Sequence, residues 1–344
     1  MQYAILANPG HNRVYFSASQ QLSLGELALA GARFQAGFHS PAVEDIGGVP
    51  YYTFATDTAL TEADCAILSR LSFCYAMFAC KGDGLIPINK TGPRFFEAGL
   101  STILKYSGKT NELFTRALLN VALYASDFYG AEEIHLLDPV AGKGTTLFEG
   151  LQLGYRVSGI EIGGKAVQEA TAYFKRYLQT EKYKHSYKKE RLSGANKSFR
   201  STIHQFTFAP DKDAFKDSKQ SGALTMVEGD SRYADQMFAK SSFHIIAGDL
   251  PYGVAHGNVT NEKQTSLTRN PSELLAACLP AWHRVLKSGG ALALAWNSLV
   301  LSQADMEKIL AEHGLVVQNQ PPYDQFAHQV DSSIRRDIVV GQKK

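Results

Sequence analysis

Residues 134–161 read IHLLDPVAGKGTTLFEGLQLGYRVSGIE. The apolar run IHLLD is strand-like and stops at Asp138-Pro139, and Gly142 and Gly144 then open the helical pattern GTTLFEGLQLG. RVSGIEI is again strand-like, and GKAVQEATAYFKRYL is its helix. Further on come the strands ALTMVEGD and FHIIAGDLPYG, the helix PSELLAACLPAWHRVL and the strand GGALALAWNS. Strand, loop and helix in repeated units predict a parallel, doubly wound, Rossmann-like α/β sheet with helices on both faces. GLVVQNQ and RRDIVVGQKK add two strands separated by a long loop.

Working toward the N-terminus, a helix is predicted over Asn111 to Ser126, with Phe114, Ala117, Leu118 and Val121 on one face and Gly130 just beyond it. Before it the rhythm differs. YAILA, RVYFSAS, VPYYTFAT and the buried strand FCYAMFAC alternate with helical SLGELALAGARF and LTEADCAILSRL. That order predicts a small α+β domain with an antiparallel sheet over residues 1–85, a glycine- and proline-marked connector over 86–109, and the large α/β domain over 110–344.

Composition sets outer bounds. At 344 residues, with 44% hydrophobic and 20% charged residues, the chain reads as an ordinary soluble protein with ample core. No stretch approaches the ~18 apolar residues of a membrane span. The first residues lack the pattern of a secretory signal. Cys65, Cys74, Cys80 and Cys278 form neither metal-type pairs nor a disulfide framework, which fits reduced thiols in the cytoplasm. The formal charge is only +2, but its distribution is uneven. From Lys175 to Arg200 nine Lys or Arg face two Glu, an excess of +7 that leaves −5 for the remainder. Tyr177, Tyr183, Tyr187 and Phe199 are interleaved with these cations. An insertion over about 180–220 with Lys182, Lys184, Lys188, Lys189 and Arg191 suits an RNA contact, since cations neutralise phosphates and aromatic rings stack on bases. The alternative is a solvated helix end running into a flexible loop.

Ligands of open α/β sheets bind beyond the carboxyl ends of the strands. The first end, DPVAGKGTT, presents Asp138, Gly142, Gly144 and Thr145; its glycines permit close approach and its helix start offers free N–H groups. A P-loop is excluded because Leu137 and Gly144 stand where Gly and Ser or Thr are needed, and Leu147 spoils the dinucleotide fingerprint. Glu161 at the second end is placed to accept from ribose hydroxyls, and Asp230 with Ser231 at the third to accept from an adenine amine or to cap a helix. At the fourth, Asp249 and the Leu250 carbonyl are two acceptors able to converge on a planar NH₂ group. Pro251 fixes the backbone there, and Tyr252 offers a face for a base. Acceptors on both hydrogens of an arylamine favour the pyramidal nitrogen that attacks a methyl group, and a carboxylate stabilises the developing positive charge.

DPVAGKGT, GIEI, EGDS and DLPYG in this order resemble class I S-adenosylmethionine-dependent methyltransferases acting on exocyclic amines. The nearer resemblance is to the tRNA guanine 2-amino methyltransferases that carry a THUMP domain. It covers residues 110–344 and, more weakly, an N-terminal module similar to the ferredoxin-like one of that family; the intervening segment is too short for a complete THUMP domain. The resemblance implies a seven-stranded sheet with an antiparallel last strand. It also implies Asp138 and residues 142–145 on the methionine part of the cofactor, Glu161 on its ribose, Asp230 on its adenine, and Asp249 to Tyr252 on the target base. The implied partner is tRNA or, as an alternative, rRNA. Leu250 departs from the commoner proline of DPPY or NPPY motifs, and Val140 stands where many methyltransferases have glycine.

Three other functions compete: methylation of an adenine 6-amino group in RNA or DNA, methylation of a protein glutamine, and a non-catalytic binding module. His256, His328, Arg335 and Arg336 read as surface residues, and Trp282 and Trp296 as core.

Overall fold

The computed structural model of the protein describes residues 1–8, 19–91, 96, 99–102, 109–194, 199–251 and 271–344. The strand expected at RVYFSAS, and with it Tyr252 and His256, lies outside the described residues. The chain divides into two compact units, one of Met1–Pro93 with Asn319–Arg336 and one of Arg94–Gln318 with Asp337–Lys344. No helix among the described residues is long and apolar enough to cross a membrane.

In the smaller unit the elements run β1 (Gln2–Ala7), α1 (Gln20–Gly31), β2 (His39–Ile46), β3 (Val49–Ala55), α2 (Glu62–Arg70), β4 (Cys74–Lys81) and β5 (Gly84–Ile88). The sheet order is β2-β3-β1-β4-β5, antiparallel throughout. Its first six elements make the βαββαβ arrangement of ferredoxin-like folds. α2 starts with a reciprocal capping box between Thr61 and Asp64, and Tyr52, Phe54 and Phe73 pack the core. β4, expected to be buried, is only half-buried, with Tyr75 61% exposed. β5 occupies the start of the expected connector.

The larger unit contains α3 (Gly99–Thr102), α4 (Glu112–Tyr124), β6 (His135–Asp138), α5 (Thr145–Gln152), β7 (Arg156–Glu161), α6 (Gly164–Thr180), β8 (Lys184–Ser193), β9 (Arg200–Ala209) and β10 (Gly222–Glu228). After these come α7 (Ala234–Met237), β11 (Phe243–Asp249), α8 (Pro271–Val285), β12 (Leu286–Asn297), α9 (Gln303–Glu312) and β13 (Leu315–Gln318). β14 (His328–Asp331) and β15 (Ile334–Lys343) close the chain. The sheet order is β13-β15-β12-β11-β6-β7-β10-β9-β8. Its parallel centre, β10-β7-β6-β11-β12, is the doubly wound order 3-2-1-4-5, reversing between β6 and β11. β15 lies between β12 and β13 and runs antiparallel to β13, completing the seven strands expected. The central strands are buried on both faces, as the near-continuous apolar run of β11 requires. Asn111 caps α4 by accepting from the N–H groups of Leu113 and Phe114. Gly159 is needed for close packing, because a Cβ there would lie 2.7 Å from Leu147 on α5.

Two expectations are corrected. The basic insertion is no loose loop: β8 and β9 form a hairpin paired over ten residue positions, and β9 extends the sheet from β10 in antiparallel. The long C-terminal loop contains β14, which pairs with the start of β15 and belongs with the smaller unit. There Phe326 packs against α1 so closely that a Cβ on Gly25 would stand 2.9 Å from its ring. His328 and Arg336, paired across this hairpin, are therefore buried, at 4% and 6% exposure, and only Arg335 remains on the surface.

Candidate active site

The strand order reverses between β6 and β11, and in open α/β sheets the carboxyl ends at such a reversal form the crevice that takes the ligand. Asp138 ends β6 with its side chain buried, and its Oδ1 accepts from the Val140 N–H at 3.0 Å. Burial pushes its pKa up to about 7, and the charges of Glu161 and Asp249 push the same way, against hydrogen bonds from Val140 and Thr146. Gly142 and Gly144 hold φ of +52° and +88°, left-handed values that glycine adopts without strain. Gly144 is the N-cap of α5, and a Cβ on Gly142 would meet nothing within 4 Å, so the loop is open on that side.

Glu161 ends β7 and ties the loop down. Its Oε2 accepts from the Gly142 N–H at 2.9 Å and its Oε1 from the Gly163 N–H at 2.7 Å. Gly248, one residue before the end of β11, explains how the carboxylates come together. A Cβ there would lie 3.1 Å from Asp138 Oδ1 and 3.0 Å from Val140, so any larger residue would push against both. Asp249 follows, and the Thr110 hydroxyl donates to its Oδ2 at 2.6 Å. The Leu250 N–H donates to the Ala295 carbonyl at 2.9 Å and its side chain is in the core, which fixes the backbone on the far side of Asp249.

Asp230 and Ser231 stand apart from this cluster. The Asp230 carboxylate caps the short turn Ser231–Tyr233 by accepting from the Arg232 N–H, and it pairs with the Arg232 guanidinium at 2.6 Å. The Ser231 hydroxyl accepts from the buried indole of Trp282 at 2.9 Å. Beside them is a cavity of about 400 Å³ lined by Ile162, Glu228 and Asp230 and, from the hairpin, Arg191, Ser193 and Arg200.

The hairpin's remaining cations face outward. Lys184, Lys188 and Lys189 are exposed, Lys188 forms a 2.5 Å ion pair with Glu190, and Lys184 Nζ lies 5.8 Å from the Phe215 ring centre. Tyr187 is 39% exposed and packs on Phe206 at 4.8 Å between ring centres, with Lys175 Nζ 5.3 Å from its ring centre. Lys182 turns the chain out of α6 at φ +59°.

Sequence reasoning thus named Asp138, Gly142, Glu161 and Asp249, which the fold brings together. It missed Thr110, Ile162, Gly163, Ser193 and Arg200. Ile162 and Gly163 directly follow Glu161 and were open to inference. Thr110 is 139 positions from its partner, beyond the reach of any local pattern.

No protein-family model and no curated protein sequence matches this chain. Solved structures do. TrmN from Thermus thermophilus is 12% identical with a TM-score of 0.46, over 100% of this chain and 99% of that one. An rRNA methylase from Streptococcus thermophilus is 10% identical with a TM-score of 0.36, over 69% and 99%. Magnesium protoporphyrin IX methyltransferase from Synechocystis, solved with bound SAM, is 13% identical with a TM-score of 0.37, over 70% and 87%.

Proposed function

We propose that this chain is an S-adenosylmethionine-dependent methyltransferase acting on an exocyclic nucleobase amine in RNA, the 2-amino group of a guanosine in tRNA being the preferred substrate. One observation carries the reading: at the crevice the glycine loop is flanked by carboxylates, Asp138 and Glu161, with Asp249 beside them. Carboxylates there repel the phosphates of a dinucleotide or nucleoside triphosphate, and they suit a ligand bearing an ammonium group, a sulfonium and ribose hydroxyls. Lys143, the loop's own cation, is occupied by a 2.6 Å ion pair with Glu169.

The residues fit the cofactor as follows. Asp138 is the counter-charge for the ammonium, and the open side of Gly142 admits the methionine chain between Asp138 and the start of α5. Glu161, held by two backbone N–H groups, accepts from the ribose, and the cavity beside Ile162 and Asp230 takes the adenine. S-adenosylmethionine supplies an activated methyl group when bound. Asp249 and the Leu250 carbonyl accept the two hydrogens of the target amine, so that its lone pair is aimed away from the ring plane. The carboxylate then stabilises the positive charge that develops on nitrogen and takes up the proton released. Alignment of the two reactants accounts for much of the remaining rate gain. The exposed lysines of β8 support RNA as the carrier of that base.

Nucleoside mass spectrometry of tRNA and rRNA from a strain lacking the protein tests the assignment. Loss of one 2-methylated guanosine is expected, restored by the wild-type protein and not by Asp249→Ala. That variant should bind S-adenosylhomocysteine within about threefold of wild type while methyl transfer falls by roughly 10²–10³-fold, the scale set by removal of one charge-stabilising group. A deletion strain with an unchanged set of methylated nucleosides contradicts the proposal.

A further inference from the structure

The cavity of about 400 Å³ is built from two parts of the chain with different origins. Ile162, Glu228 and Asp230 belong to the carboxyl ends of β7 and β10. Arg191, Ser193 and Arg200 belong to the β8–β9 hairpin, which lies outside the seven-strand pattern. The hairpin reaches the cavity through fixed registers. Glu228 pairs with Thr202, so the preceding β9 residues, Arg200 and Ser201, project beyond the end of β10, and Ser193 and Leu192 of β8 pair with them. The Ser201 hydroxyl in this wall is buried and has no hydrogen-bond partner among the described residues, a cost that a polar ligand would relieve.

Charge decides what the cavity takes. Two arginines and two carboxylates line it, Asp230 being paired with Arg232, so a phosphate drawn to Arg191 and Arg200 would also meet Glu228. A neutral ring with both donors and acceptors satisfies a lining of mixed sign. On the cofactor reading above, on which this inference rests, that ring is adenine.

We propose that the β8–β9 hairpin is the outer wall of the adenine pocket, and that RNA docked on the same strand tightens cofactor binding. β8 carries Lys184 at one end, Lys188 and Lys189 midway and Arg191 and Ser193 toward the other end, roughly 3.4 Å apart per residue. The ten paired positions with β9 make the strand one element, so an RNA that fixes its lysine end also fixes its cavity end. Coupling of this kind is reciprocal, and the cofactor tightens RNA binding by the same factor.

Isothermal titration of S-adenosylhomocysteine into the full chain, with and without a tRNA transcript, is the test. The Arg191→Ala/Arg200→Ala variant is expected to bind the probe about tenfold more weakly than wild type without RNA. Ser201→Ala is the second variant. It removes only an unsatisfied hydroxyl, so it keeps the fold, and it is expected to weaken the probe by about threefold. The transcript should tighten the probe about fivefold in wild type. Lys184→Ala/Lys188→Ala should abolish that gain while leaving affinity without RNA unchanged. Wild-type affinity in both cavity variants, or no response of wild type to the transcript, overturns the inference and leaves the cofactor reading standing. Failure of wild type to bind the probe at all overturns both.

Discussion

The two ends of the large sheet each carry a cluster of titratable side chains, and the clusters are built on opposite plans. At the amino end, Glu133 accepts from the His135 ring at 2.6 Å and from Arg156 at 2.5 Å, and the His135 backbone N–H donates to His244 Nδ1 at 2.8 Å. Lys287 Nζ lies 2.7 Å from the other ring nitrogen of His244. Acid, base and imidazole groups are mixed there, and most of the partners are side chains of the cluster itself. At the carboxyl end, Asp138, Glu161 and Asp249 are all acids, and among the described residues backbone N–H groups and the Thr110 hydroxyl donate hydrogen bonds to them. A self-neutralised cluster stabilises a fold. A like-charged cluster held by neutral donors keeps its field for something that arrives later.

Glu161→Gln tests this difference most severely. A glutamine must turn an NH₂ toward either Gly142 or Gly163, losing a charged acceptor worth about 1.5–3 kcal/mol. Affinity for S-adenosylhomocysteine should fall by about 10- to 100-fold in calorimetry, and an unchanged value would remove Glu161 from the cofactor site. Next, Thr110→Val withdraws the hydroxyl from Asp249. Methyl transfer is expected to drop about tenfold with cofactor affinity unchanged, and Thr110→Ser should restore it; equal rates in all three would make the contact incidental.

The pH responses of the two ends are opposite in sign. Asp138, raised by burial to about 7, favours folding fully below the unfolded value of 3.8 and loses that contribution as pH rises through 7. His244 is lowered by burial, and then by the nearby charges of Lys287 and His135, to about 4. Its contribution is complete above 6.5 and is lost as pH falls through 4. Because a cationic ligand favours ionised Asp138, affinity for S-adenosylhomocysteine should rise a few-fold between about pH 6 and pH 8. Asp138→Asn should flatten that rise, and a rise that persists assigns it to another group. The smallest effect belongs to the amino end. Burial raises the pKa of Glu133, but its bonds to Arg156 and His135 outweigh that and leave it lowered. With the carboxylate 41% exposed, Glu133→Gln should cost no more than about 1 kcal/mol in denaturant unfolding. It should leave methyl transfer within about twofold of wild type, and a larger loss of activity would erase the distinction between the ends.

The carboxyl-end cluster could be read from sequence because strand, glycine loop and helix recur there with undiluted periodicity, and each strand stops at an acid. The hairpin could not. KHSYKKERLS is polar on both faces, so no alternation marks a strand, and the ladder to β9 supplies what the side chains do not. Thr110 joins the site through a long-range contact. Asp230 carried two local readings, cap and ligand acceptor, and its cap and its pair with Arg232 are both formed. His328 and Arg336 looked superficial because the four-residue β14 was hidden in a polar loop, and its pairing with β15 buries them.

The route of the chain has a practical consequence. Residues 319–336 leave the larger unit after β13, pack Phe326 against α1, and return as β15. A single cut in the connector would therefore yield an N-terminal fragment stripped of Phe326 and a C-terminal one carrying the 319–336 finger with Phe326 uncovered. Isolating either half for study calls for a rewired gene, with the 319–336 finger spliced onto the first 93 residues and a short bridge joining β13 to β15.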